Sequence, residues 1–214
     1  LAKFERVKQD KHIVLIGYSG HSFVVLEIFR AMGRTVSAYC ELSEKEHNPY
    51  NLDYAGNENE ARVIEQLKAA ECFVSIGDNQ LRRKSYEKAD AAALSIINAI
   101  HPSAIISETA TFGNGVMVAA GVIINAQSRI GNGVICNTGS IIEHECRIGD
   151  FAHIAPGAVL CGNVSVGEGS FIGANSVIRQ GITIGKNVLI GAGTVVTKDV
   201  PDNSRLIGNP QRPL

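Results

Sequence analysis

At 214 residues and 45% apolar composition, the chain is long enough to bury a core in each of two domains. Twenty Lys and Arg against 21 Asp and Glu leave a formal net charge of −1 without a basic run, which argues against a nucleic-acid binder, whose affinity rests on cations neutralising phosphates. No apolar run approaches the ~20 residues that span a bilayer, and the opening LAKFERVKQDK is charged rather than signal-like, so a cytoplasmic location is expected.

In chain order, His12 to Ile16 reads as a short apolar strand and Gly17 to Ser22 (GYSGHS) as a glycine-rich turn. Phe23 to Met32 follows as a helix with Val24, Val25, Ile28, Phe29 and Met32 on one broad apolar face. This is the opening of a Rossmann-like βαβ unit. Further strands fit Thr35 to Tyr39, Cys72 to Ile76 and Leu94 to Ala99, with helices over Glu58 to Ala70 and Gln80 to Ala91. His101-Pro102 ends the regular run, so an α/β Rossmann-like nucleotide-sugar-binding domain is expected over 1–102. The glycines do not spell GxGxxG, and Glu41 falls only near the region that holds a ribose. Yet Gly17, Gly20 and Gly77 lie at carboxyl ends of expected strands, where open α/β sheets bind ligands. A nucleotide or nucleotide-sugar pocket is favoured over a nicotinamide one; the alternative is that these glycines serve only tight turns.

The second half is periodic. Phe112-Gly113, Ile130-Gly131, Ile148-Gly149, Val166-Gly167 and Ile184-Gly185 recur every 18 residues, and every sixth residue from Ile106 to Val196 is apolar. Neither a helix nor a sandwich strand keeps a six-residue register on one face, whereas a parallel β-helix does. Three hexapeptides make one coil of a triangular prism, with the sixth residues inside. The residues two before them, mostly small or β-branched (Ser128, Ser140, Cys146, Ala152), fit its narrow interior. Coils stacked at ~4.8 Å over 103–197 form the second, all-β domain, followed by a tail over 198–214. The glycine after each aliphatic is expected where the chain bends.

Large polar residues interrupt this register once. His144 stands between Glu143 and Glu145, and His153 follows half a coil later, one residue before an inward position and so facing outward. A histidine titrates near neutrality, and a neighbouring carboxylate can fix its tautomer, which suits proton removal from an amine or hydroxyl during acyl transfer. Against this, His144 could be a solvated corner residue, because neighbours on a strand point to opposite faces and only a bend lets Glu145 reach its ring. The five cysteines (Cys40, Cys72, Cys136, Cys146, Cys161) lack paired or His-flanked spacing and read as core thiols, so no metal site is expected.

IGYSGHS, Phe73 to Lys88 (FVSIGDNQLRRKSYEK), Asn137 to Val164 and Val195 to Pro210 together resemble the hexapeptide-repeat acetyltransferases, in particular the bacterial UDP-4-amino-sugar N-acetyltransferases of the bacillosamine and perosamine kind and the related sialic-acid O-acetyltransferases. The resemblance implies a left-handed parallel β-helix, a homotrimer with sites between neighbouring prisms, and acetyl-CoA as co-substrate. It makes His144 the general base, with Glu145 orienting it and Asn137 supporting the site. His153 would contact the thioester, and Gly162, Ala174 and Ala192 would line the pantetheine channel under the tail from Lys198. Ser19, Gly20 and His21 would cradle the sugar nucleotide's phosphates, with Gly77, Asp78, Asn79 and Arg82 completing that pocket. Glu41-Leu42 replaces the family's paired acidic residues after the second strand, and Ser43 to Asn59 is a longer insertion beside the acceptor pocket.

The expected function is transfer of acetyl from acetyl-CoA to the amine of a nucleotide-linked amino sugar. A sialic-acid O-acetyltransferase and a non-catalytic nucleotide-sugar-binding hexapeptide protein are the alternatives. A covalent route through Cys146 or Cys161 competes with direct transfer, and a zinc carbonic anhydrase of this shape would need three suitably placed histidines where two occur.

Overall fold

The computed structural model describes residues 12–214; the charged opening segment lies outside the described residues. The N-terminal domain runs β1 (Ile13–Ile16), α1 (Gly20–Ala31), β2 (Val36–Cys40), β3 (Asp53–Gly56), α2 (Ala61–Leu67), β4 (Glu71–Val74), α3 (Asn79–Ala91) and β5 (Ser95–Ile96). All sheet pairings are parallel, in the order β3-β2-β1-β4-β5. The continuous apolar run of β1 is buried throughout, as a central parallel strand covered on both faces requires. Chain order reverses between β1 and β4, which opens a crevice at their carboxyl ends. β3 corrects the expectation of a plain insertion after Ser43: Asp53–Gly56 extends the sheet as its edge strand. With only part of that strand buried, it lacks the apolar run that would have marked it.

From Ala99–Ile100 onward the chain winds as a parallel β-helix of two-residue strands, each paired with the strand 18 residues later, as in Ile124↔Ile142, Ile130↔Ile148 and Cys136↔Ile154. The first coil therefore starts just before residue 102. The sixth-residue series from Val118 to Val196 is buried, and so are the residues two before each. Three serines in that interior are satisfied by carbonyls of the following coil: Ser128 Oγ donates to Glu143 O at 2.9 Å, Ser170 to Gly185 at 2.7 Å and Ser176 to Gly191 at 3.0 Å, whereas the Ser140 hydroxyl is buried without a partner among the described residues. The 18-residue glycines have ordinary φ and serve close approach instead of bending: a Cβ on Gly149 would lie 2.7 Å from Glu168 N. The corners are made by a different series, left-handed residues every sixth position from Gly115 to Gly193, mostly Gly or Asn but including Glu145 and Phe151.

The prism has three faces. The first carries Met117, Ile135, His153, Phe171 and Leu189 outward and is extended by Arg205–Ile207 of the tail. The second carries Ile123, Ile141, Val159, Val177 and Val195, and the third Arg129, Arg147, Ser165 and Thr183. The N-terminal domain sits on the first face, where Met117 and Ile135 are buried in one core with Ile13, Leu15, Phe29 and Phe73. Among the described residues no helix is long and apolar enough to cross a membrane, and no group of His, Cys, Asp and Glu is arranged to hold a metal.

Candidate active site

His144 follows the second-face strand Ile141–Ile142, on the corner leading to the third face. Its ring is exposed, and its Nδ1 meets Glu145 Oε2 at 3.1 Å. The bend that makes this possible is Glu145 itself, which adopts a left-handed conformation (φ 62°) at a corner position mostly filled by Gly or Asn. A non-glycine residue held there is mildly strained, a feature that concentrates at functional sites. Glu143 is engaged elsewhere, accepting from Asn125 Nδ2 at 2.9 Å. One coil on, Gly162 leaves the space that the His144 ring occupies: a Cβ there would lie 2.5 Å from both Cε1 and Nε2. Gly162→Ala is therefore expected to displace the ring while leaving the prism intact, lowering kcat about tenfold or more with a thermal midpoint within a degree or two of the parent; steady-state kinetics beside a melting curve check both.

His153 projects from the first face into the joint between the domains. Its ring, 8% exposed, stands edge-on to Phe171 with centroids 4.9 Å apart and lies 6.5 Å from the His21 ring. Asn137 Oδ1 accepts the Thr138 N–H at 2.8 Å, which turns the Asn137 NH2 toward His153 Nε2 at 3.2 Å. Nε2 thus accepts, and the ring proton belongs on Nδ1. Burial first, then the charge of Arg82 and the proximity of His21, pulls His153 down to about 3; burial and then Arg82 pulls His21 down to about 4. Both rings are neutral at pH 7, so the unfolded chain binds more protons as pH falls below about 6.5. Their contribution to stability is full above that value and is lost through the window down to about 4 for His21 and about 3 for His153. Unfolding free energies from urea titrations are expected to drop between pH 7 and 5, by at most ~1.4 kcal/mol per pH unit per histidine, with a shallower slope in His153→Gln.

At the carboxyl ends of β1 and β4, Ser19, Gly20, His21 and Gly77 converge. Ser19 N-caps α1 and its N–H donates to Ser22 Oγ at 2.7 Å, while His21 packs against Gly77, whose Cβ would lie 3.5 Å from His21 Cγ. Glu41 borders the same crevice, accepting the Tyr18 N–H at 3.3 Å and pairing with Lys45 at 3.4 Å. Asp78, Asn79 and Arg82, expected to complete that pocket, have their side chains engaged within the protein. Asp78 accepts the Gln80 and Leu81 N–H groups as the cap of α3, Asn79 Nδ2 donates to Gly169 O at 2.9 Å, and Arg82 is buried among carbonyls. Asn79 and Arg82 build the joint, because α3 lies against prism carbonyls that no local pattern announces.

The structure does not bring every expected residue to one place. His153 leaves the first face, whereas His144 stands on the corner opposite that face. Asn137 belongs to the His153 side. Ala174 and Ala192 stack at successive 18-residue steps below Thr138, on the corner between the first and second faces, away from Gly162. A cleft of 680 Å³ under α3, lined by Gly77, Asp78, Asn79, Phe171, Leu189 and Arg205, holds neither histidine. Phe171 is a site residue that sequence reasoning missed; its position 18 after His153 was the available signal. Cys146 is sealed inside the prism, and burial pushes its thiol up to about 11, which disfavours a thiolate nucleophile.

Comparison with known proteins agrees with this layout. Residues 12–89 match the family described as the PglD N-terminal domain, and residues 163–198 match the hexapeptide repeat of succinyl-transferase. PerB from Caulobacter crescentus, solved in complex with CoA and GDP-perosamine, is 40% identical with a TM-score of 0.89, covering 95% of this chain and 97% of PerB. The acetyltransferase domain of PglB from Neisseria gonorrhoeae FA1090, solved with acetyl coenzyme A, is 33% identical with a TM-score of 0.89, covering 96% of this chain and all of that one. The UDP-N-acetylbacillosamine N-acetyltransferase of Bacillus subtilis strain 168 is 33% identical over 112 residues, 51% of this chain and about half (52%) of that protein. With its α/β domain seated on a left-handed parallel β-helix, the chain belongs to the hexapeptide-repeat sugar N-acetyltransferase family.

Proposed function

We propose that the protein transfers the acetyl group of acetyl-CoA to the amine of a nucleotide-linked 4-amino sugar, with His144 as general base. What carries this is the His144–Glu145 pair: Nδ1 is tied to the carboxylate at 3.1 Å, leaving Nε2 of an exposed ring open to an acceptor. The acceptor nitrogen attacks the thioester carbonyl and forms the C–N bond as Nε2 takes its proton. The C–S bond then breaks, and the proton can return to the departing thiolate. A backbone N–H near Gly162 is the candidate donor to the developing oxyanion, and the neutral His153, held by the Asn137 amide, borders the thioester end. The corner column of Thr138, Pro156, Ala174 and Ala192 carries no large side chain, which suits an extended pantetheine arm. Ser19, Gly20, His21, Glu41 and Gly77 hold the sugar nucleotide in the β1/β4 crevice, in keeping with the GDP-perosamine bound to PerB.

The working form in this proposal is a homotrimer in the cytoplasm. Ile105, Ile123, Ile141, Val159, Val177 and Val195 stack up the second face as an aliphatic ladder, with Ile105 and Val177 plainly exposed; a face of this kind is typical of an interface. Packing three such faces around a common axis brings the His144 corner of one copy toward the His153 face of the next. The test is CoA release with a panel of acceptors: UDP- and GDP-linked 4-amino-4,6-dideoxy sugars, sialic acid and CMP-sialic acid. Turnover confined to 4-amino sugar nucleotides is the expected result, and turnover confined to sialic acid or its CMP form would move the protein to O-acetylation.

A further inference from the structure

Arg82 is the largest fully buried side chain among the described residues, at 1% exposure, and no carboxylate bonds its guanidinium. All five of its N–H donors are used. Nε donates to Gly133 O at 2.7 Å; Nη1 to Ile76 O at 3.2 Å and Gly77 O at 2.9 Å; Nη2 to Asn79 Oδ1 and Phe151 O, both at 2.8 Å, with Ala152 O at 3.5 Å. The acceptors fall in two groups. One is the turn after β4, whose Gly77 touches His21 and lies beside the His153 ring. The other is the prism backbone, including the two residues that immediately precede His153. A single planar cation therefore clamps both walls between which the His153 ring is held.

Stability alone is a poor reason for such a group. Burying a cation carries a large desolvation cost, and apolar side chains of similar volume commonly hold a joint as well or better. A five-donor fork differs from an apolar plug in imposing one geometry on the carbonyls around it. Resting on the acyl-transfer function proposed above, we propose that Arg82 is a positioning residue for the reaction, holding the His153 ring in one orientation by locking the Gly77 turn onto the prism. Burial lowers Arg82 only to about 10, so it is cationic at neutral pH, with Asp78 favouring the charge. The charged and titratable groups acting on His153 are Arg82 from α3 and His21 from α1, and Arg82 disfavours a second charge on either ring.

The test compares the full chain with Arg82→Met and Arg82→Lys, following histidine ring nitrogens by NMR between pH 8 and 5, and kcat over the same range where circular dichroism shows each protein folded. In the parent, His153 is expected as one neutral tautomer throughout. In Arg82→Met it is expected to show both tautomers or to begin titrating within the range, with kcat reduced about tenfold and its acid limb moved up by about one pH unit. Arg82→Lys, keeping the charge but not the fork, is expected to remain neutral at His153 while mixing tautomers. A folded Arg82→Met whose His153 signals and pH profile match the parent overturns the proposal and leaves a structural clamp. If Arg82→Met does not fold, the tautomer result for Arg82→Lys decides. Should the parent release no CoA with any acceptor of the panel, the proposed function fails while the ring-nitrogen result still decides whether Arg82 orients His153.

Discussion

Replacing His144 with alanine is expected to lower kcat by about 10²- to 10⁴-fold, the usual worth of a positioned general base. The effect belongs to chemistry and not to folding. The ring is exposed, its side-chain partner is the equally exposed Glu145 carboxylate, and the neighbouring surface is the backbone of Gly162. Surface substitutions of this kind change stability by about 0.5 kcal/mol or less, so the thermal midpoint of His144→Ala should stay with the parent. Glu145→Gln keeps the bend and a hydrogen-bonding group while removing the negative charge that steadies the protonated ring; a smaller loss is expected, concentrated in kcat. An unaltered rate in His144→Ala would remove the base from the proposal, leaving binding and orientation to supply the acceleration.

Co-expressing His144→Ala with His153→Ala chains is expected to restore activity that neither has alone. Within one chain the two rings point to opposite sides of the prism, so a site containing both takes them from different copies. In the proposed trimer, every assembly holding both kinds of chain pairs an intact His144 with an intact His153 at one of its three sites, giving about a third of parental activity. Tagging the two chains differently, purifying mixed trimers and measuring CoA release per site checks this. Mixed trimers that stay inactive would mean that each site draws on one chain only. That outcome would also call for a different account of the aliphatic ladder on the second face, which the proposal uses to bring the two sides together.

Both effects depend on features of unequal visibility in the chain. The six-residue register was legible because inward residues are selected at fixed local intervals, so burial is written directly as periodicity; Val118 through Val196 are buried as that series requires. The Rossmann-like opening was legible for a similar reason, apolar β1 followed by the glycine turn and an apolar-faced α1. The glycines of the 18-residue signature were visible without their cause, because a clash with the next coil is a contact between residues distant along the chain. β3 was hidden by its polar edge position.

The candidate site divides in the same way. His144, flanked by Glu143 and Glu145, and His153 stand out because large polar residues are rare within a regular apolar repeat. Whether Glu145 could reach His144 depended on a backbone angle, and the left-handed corner at Glu145 supplied it. The repeat, the two-domain plan and the identity of the chemical groups are legible in the chain alone, since each is encoded by local spacing and residue type. That Arg82 and Asn79 tie the domains together while Asp78 caps α3, and that His144 and His153 lie on opposite sides of one chain, is settled by folding. Those outcomes are set by which carbonyls and faces meet after folding, and donors and acceptors brought together from residues 50 to 90 positions apart leave no periodic trace in the chain.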